Sequence, residues 1–376
     1  MRLKDVRLAL IFKDFAAWLR TSCVGLNVAG FATAKVLREH GIDVSVFPVR
    51  HNVDIVDSIE LYNKTHEKPL THVVISAPWL SVWDLERLLE HFQHTQFVIL
   101  SHSNVGFLQA DADGMYLFRQ YQRLARHYHN LRIGGNCVKF VDWLKETYGP
   151  EDVVLLPNLY PVDPGTVMKV WDGHSTVKIG AFGAVRPLKN FMTAAAAAML
   201  IQKRLGVPVE LHMSAGGEGD GGTTAAAINQ MVHGTPVTIV RHKWCYWDDF
   251  IQLIKDMDLM IQVSYTESFN MVTADGISVG VPSVVSPAIY WAPEDWKAEP
   301  DDARDVASVG IHLLTRAKKR SDGLQALLDH DRWGIQEWKK FLLEGDTEDE
   351  DCRGSWFMGV RWVFDRFNHW VPWKKR

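Results

Sequence analysis

Apolar positions along the chain change their period repeatedly. The stretch 6–12 is a short apolar run followed by a polar turn. Val28, Phe31, Ala32, Val36 and Leu37 then fall on one helical face, which Gly41 closes as a C-terminal cap. Runs at 44–49, 72–77, 96–101 and 153–157 repeat the strand pattern, and 80–92, 115–128 and 138–148 repeat the helical one. Strands alternating with helices of this length predict parallel βαβ units with right-handed crossovers. Pro157, Pro161, Pro164, Gly165 and Gly173 break the rhythm, so 157–173 reads as an interdomain linker. A second alternation follows. Its strands are predicted at 177–182, 209–214, 237–241, 259–264 and 283–286, and its helices at 191–205, 223–232, 247–257 and 270–279.

The fold class is therefore α/β, with two Rossmann-like domains in series, 1–160 and 174–343. Such a pair binds ligands at the carboxyl ends of its strands, in the cleft between domains. Beyond Leu343 comes an acidic run, 344–351, read as a solvated loop. In the tail, 344–376, Trp356, Val360, Val363, Phe367 and Val371 then recur at helical spacing before Lys374, Lys375 and Arg376. This Trp-rich stretch is either a closing helix packed on the protein, the preferred reading, or a basic-flanked helix at a membrane surface.

Composition narrows the partners. The 376 residues suit two domains, and 47% hydrophobic with 23% charged is globular, not disordered or collagen-like. A net charge of -4 disfavours nucleic acid as the main partner. Four cysteines, at 23, 137, 245 and 352, form neither a disulfide framework nor a zinc spacing. The first apolar run is cut short by Lys13 and Asp14, too early for a secretory core, and no stretch is long enough for a membrane span. A cytoplasmic protein, with peripheral membrane contact left open, is expected.

Two stretches carry chemistry. In 264–285 a strand ends in a small polar turn at Ser264, Glu267 sits in the turn, and a helix starts directly after. Unsatisfied amides at that helix start would attract a phosphate or a sugar hydroxyl. Asp275 lies about 12 Å further along a helix, so the two carboxylates would serve opposite ends of an extended ligand. The plainer alternative has Glu267 capping the helix and Asp275 pairing locally. In 179–190 a strand runs into a turn at Gly183, and Arg186 and Lys189 precede the next helix. The two cations would neutralise a diphosphate, and small residues at 183 and 184 would let the backbone approach it. Two solvated surface cations are the alternative.

The order Gly183, Lys189-Asn190, Glu267-x7-Asp275 and Gly280-Val281-Pro282 resembles the C-terminal half of GT-B glycosyltransferases, most closely glycosyltransferase family 4. The similarity covers roughly 175–290, and the first domain only by its architecture. Two positions depart from the family: Ala184 stands where an arginine is usual, with Arg186 two residues later, and Asp275 replaces the second glutamate.

What the resemblance implies is a GT-B fold with an acceptor domain at 1–160 and a donor domain at 174–343. It also implies transfer of a sugar from a UDP- or GDP-sugar to a glycan, lipid-linked or small-molecule acceptor, with retention and no obligatory metal. In that reading Glu267 and the Ser268, Phe269 and Asn270 backbone face the donor sugar, and Asp275 binds ribose. Arg186 and Lys189 hold the diphosphate. Gly183, with Gly216 and Gly217 in the Gly-rich run, makes room for the nucleotide, while 242–246 forms a base pocket by ring stacking. His102, after the strand 96–101, is the candidate over the reacting sugar, and 21–30 should line the cleft. His91, His94, His127 and His129 lack a ligand pattern and are read as non-ligands. Asp111-Ala-Asp113 is read as a helix N-cap, not a metal motif. Two alternatives stay open: a weak or inactive relative that binds a glycan or nucleotide, and a nucleic-acid base as acceptor. No Gly-x-Gly-x-x-Gly follows the first strand, which disfavours a dinucleotide enzyme.

Overall fold

The computed structural model describes residues 2–14, 24–149, 153–214, 221–315 and 321–343. Gly216, Gly217, the Trp-rich tail and residues 15–23 lie outside the described residues.

Among the described residues, eleven strands form two all-parallel sheets. The first holds β1 (Arg7–Lys13), β2 (Asp43–Val49), β3 (His72–Ser76), β4 (Gln96–Ser101), β5 (Leu131–Gly135) and β6 (Val153–Leu155), in the order β2-β1-β3-β4-β5-β6. The second holds β7 (Val177–Ala181), β8 (Val209–Ser214), β9 (Val237–His242), β10 (Leu259–Gln262) and β11 (Ser283–Val285), in the order β11-β10-β7-β8-β9. The central strands are mostly apolar because helices cover both faces of each sheet; β3 and β10 are buried at every position. In an open parallel sheet the crevice lies where the strand order reverses. That point is between β1 and β3 in the first sheet, and between β7 and β10 in the second.

The predicted α/β class and two Rossmann-like units hold. The predicted helix at 191–205 is observed as Phe191–Leu205, with Gly206 turning left-handed at φ 72° beyond its end. Asp111 caps the helix Ala112–Ala125 by accepting from the Gly114 amide. Four of the longer elements escaped the pattern, besides the single-turn helix Val105–Leu108. β5 reads Leu-Arg-Ile-Gly-Gly, too short and glycine-rich to register, yet a Cβ at Gly134 would meet the Val154 carbonyl at 2.7 Å. The helices Val53–Thr65, Ala303–Thr315 and Ser321–Leu342 were also missed. Residues 24–30, expected as cleft loop, belong to the helix Val24–Glu39. Gly30 is needed there because the Phe12 ring lies against its backbone.

The last described helix, Ser321–Leu342, ties the two units together. Leu324 and Leu327 pack in the core of the second sheet, while Ile335, Trp338, Phe341 and Leu342 pack with Leu8, Leu10, Val98 and Leu100 of the first. The crossing segment at 156–176 has no helix or strand, and this helix holds it. Trp338 Nε1 donates to the Pro157 carbonyl at 2.9 Å, and Asp331 Oδ1 accepts from the Tyr160 amide at 3.1 Å. His330 Nε2 lies 3.0 Å from the Asn158 carbonyl. Gly280, at φ 80°, ends the helix Met271–Ser278 where the crossing segment passes close by, and its carbonyl accepts from the Lys169 amide at 2.7 Å. A side chain at Gly280 would collide with the Val167 carbonyl.

Burial pushes Asp331 up to about 8, although the Tyr160 amide pulls the other way. The folded state therefore keeps a proton that the unfolded chain releases near pH 4, so stability falls as pH rises towards 8. Burial holds His72, His102 and His330 at about 4, which opposes that slope only below the ordinary histidine value of 6.5. The melting temperature should then decline from pH 6.5 to 8, and Asp331→Asn should flatten the decline. Parallel melting curves of the two proteins across that range would refute this assignment.

Candidate functional site

The carboxyl ends of both sheets meet around a cavity of about 310 Å³. On the second-domain side two loops converge, one after β7 and one after β10. Each turns on a left-handed asparagine, Asn190 at φ 56° and Asn270 at φ 70°, a conformation that short amide side chains tolerate better than most residues do. Asn190 Nδ2 reaches across to the Val263 carbonyl at 3.1 Å, and the Tyr265 amide donates to the Leu188 carbonyl at 2.9 Å. The two loops are thus tied to each other.

That coupling brings Lys189 and Glu267 together. Lys189 Nζ lies 2.5 Å from Glu267 Oε1, which also accepts from Asn270 Nδ2 at 2.9 Å. Asn270 Oδ1 caps the helix Met271–Ser278 through the Thr273 amide at 2.8 Å. The helix starts only at Met271, so Glu267 lies ahead of the cap and the expected straight helical path from Glu267 to Asp275 does not exist. Glu267 is held in place by Lys189 and Asn270 and is not itself the cap. Gly183, at φ 124°, donates its amide to Ser214 Oγ at 3.2 Å. Ala184 and Arg186 line the same cavity, and the Arg186 guanidinium stands 5.8 Å from the centre of the Phe107 ring of the first domain.

Asp275 is buried at the cavity edge. Its Oδ1 accepts from Tyr160 Oη at 2.7 Å and Trp247 Nε1 at 3.1 Å. Burial lifts its carboxyl to about 6, and both hydrogen bonds oppose that shift. Phe269 turns its ring away into the core, stacked on Trp291 at 5.3 Å, and Trp291 Nε1 holds the Phe269 carbonyl at 2.7 Å. On the far side His242, Lys243, Trp244 and Cys245 line the cavity. His242 Nε2 lies 2.9 Å from His212 Nδ1, and His212 Nε2 lies 3.1 Å from Glu210 Oε2.

The first domain closes the cavity with the segment after β4 and the start of the helix Val24–Glu39. Asn104 Nδ2 donates to the Glu267 carbonyl at 2.9 Å, and its Oδ1 accepts from Thr266 Oγ1. Ser268 Oγ donates to the His102 carbonyl at 2.8 Å. His102 and the Glu267 loop, predicted from separate domains, therefore do meet. Asn104, Asn136, Thr266, Tyr160 and Trp247 complete the site. Asn136 was beyond sequence reasoning because it follows β5, the strand whose pattern was too weak to see. No three His, Cys, Asp or Glu side chains among the described residues cluster as metal ligands. No helix of the described residues is long and apolar enough to cross a membrane.

No family model matches this chain, and no curated protein matches its sequence. Solved structures do match its shape. A glycosyltransferase from Rickettsia africae is 12% identical, with a TM-score of 0.59 over 91% of this chain and 100% of that one. Sucrose-phosphate synthase from Thermosynechococcus elongatus is 14% identical, with a TM-score of 0.58 over 90% of this chain and 97% of its own. The chain has the GT-B fold. Another GT-B structure, HepE from Anabaena in complex with UDP and glucose, is 14% identical, with a TM-score of 0.54 over 87% of this chain and 95% of that one. In GT-B terms the cavity here is the interdomain cleft, and the Lys189–Glu267 pair sits at the β7/β10 reversal of the second domain.

Proposed function

We propose that this protein transfers a sugar from a nucleotide-diphospho-sugar, with UDP or GDP as leaving group, to an acceptor hydroxyl, with retention and without an obligatory metal. The observation that supports this most is the convergence of Lys189, Arg186, Glu267, the Asn270-capped helix start and His102 on one cavity. Arg186 and Lys189 hold the diphosphate and stabilise the negative charge that grows as it departs. The helix start presents amides with no acceptor one turn back, which suit the same phosphates. Glu267 receives sugar hydroxyls, and His102 approaches the sugar from the other domain. Asp275 faces ribose, and 242–245 stacks on or borders the base. Acceptors of the glycan, lipid-linked or small-molecule kind enter over the first domain, in a cytoplasmic protein with peripheral membrane contact open to test.

Lys189→Ala should weaken UDP or GDP binding about 10- to 100-fold, as expected for a lost charge-assisted hydrogen bond. Calorimetry reads this directly, and unchanged affinity for both diphosphates would remove the site. One observation favours a second reading. Asp275 already has two protein donors on Oδ1, as a carboxylate retained for structure would. A weak or inactive relative would bind the nucleotide yet fail to hydrolyse any donor when acceptor is withheld. Slow donor hydrolysis that Glu267→Ala abolishes speaks for the transferase.

A further inference from the structure

The orientation of His102 is set by residues from both domains, and the shortest contact at their junction fixes where the protons go. Ser268 Oγ has a single proton, and it goes to the His102 carbonyl at 2.8 Å. The same oxygen lies 3.3 Å from Asn136 Nδ2, so in that contact it accepts. The Asn136 amide must therefore present its NH₂, not its oxygen, to Ser268. That NH₂ also lies 3.4 Å from His102 Nδ1. A ring nitrogen facing an NH₂ is the unprotonated one, so Nδ1 accepts and the ring proton sits on Nε2. His102 Nε2 is buried and meets no hydrogen-bond partner among the described residues, and His102 lines the cavity. A buried donor without an acceptor is costly, and an oxygen of a bound ligand would relieve it.

We infer that Asn136 is a positioning residue that, through Ser268 of the facing domain, holds His102 as the Nε2–H tautomer, so that the imidazole donates a hydrogen bond to an oxygen of the transferred sugar. The inference rests on the transferase reading for the identity of the ligand but not for the tautomer. Two consequences follow. His102 is a donor in the cleft and does not abstract a proton from the acceptor. The tautomer also depends on Ser268 of the facing domain, so contact between the domains and the state of His102 are linked. Burial independently keeps the ring neutral, holding it at about 4.

Nitrogen-15 spectra of histidine-labelled protein, with His102 assigned by its loss in His102→Gln, test this without substrate. At pH 7 the free protein should show an unprotonated Nδ1 and a protonated Nε2. Asn136→Asp places a carboxylate against Nδ1 and should move the proton there. Ser268→Ala frees the amide to turn and should give a mixture of tautomers; it stands in if Asn136→Asp fails to fold. With a donor that the wild type turns over, Asn136→Asp should lower kcat about 10- to 100-fold, with KM for the donor within about 3-fold, as for loss of a group that orients another. A protonated Nδ1 or an imidazolium in the wild type would overturn the inference, as would spectra unmoved by both substitutions. A wild type that turns over no donor would instead sink the transferase reading, and the spectra would still decide the tautomer.

Discussion

Glu267→Ala and His102→Ala should each cut turnover about 100-fold or more while leaving affinity for the free nucleoside diphosphate nearly intact. On the proposed reading neither side chain serves the phosphates or the base, so what they contribute would be made with the sugar as its bond to the diphosphate breaks. The two come from loops 165 residues apart that Ser268 brings together through the His102 carbonyl. Glu267→Ala has a second effect, because it releases Lys189 from the 2.5 Å ion pair. Diphosphate affinity in that variant should hold or rise slightly, not fall. Steady-state rates with a nucleotide sugar, beside calorimetry with UDP and GDP, read both effects. An intact rate in either variant would remove that residue from the chemistry.

The largest stability effect is expected from Trp338→Ala, at about 3–5 kcal/mol. Trp338 is 1% exposed and belongs to the core of the first sheet, although it sits on the chain's last described helix. Its removal leaves a large cavity and orphans the Pro157 carbonyl, which accepts its indole N–H. The damage falls where the crossing segment leaves the first domain, so ligand binding across the cleft should weaken along with global stability. Urea unfolding gives the size of the loss. A change below about 1 kcal/mol would mean that this helix end does not pack as described.

The sequence by itself determined the alternation of strand and helix, the two-unit α/β class and the strand-end positions of Gly183, Lys189, Glu267 and His102. It could do so because fully buried parallel strands read as apolar runs and their helices as apolar stripes, both local signals. It also identified Gly41 as the glycine that closes the first long helix, where φ is 79°. Where the local signal was weak, it failed. β5 is short and holds two glycines, so β5 and the Asn136 that follows it stayed out of sight. Only the tertiary structure decided which loops face each other. The Asn190 bridge to β10, the grip of Asn104 on Glu267, and the hold of Tyr160 and Trp247 on Asp275 join residues 28 to 163 positions apart. It also decided that the last helix returns to the first sheet, which no periodicity could announce. A helical stripe says that one face must be buried, but not against which partner. That choice is made by the shape and polarity of surfaces that exist only once both sheets have formed.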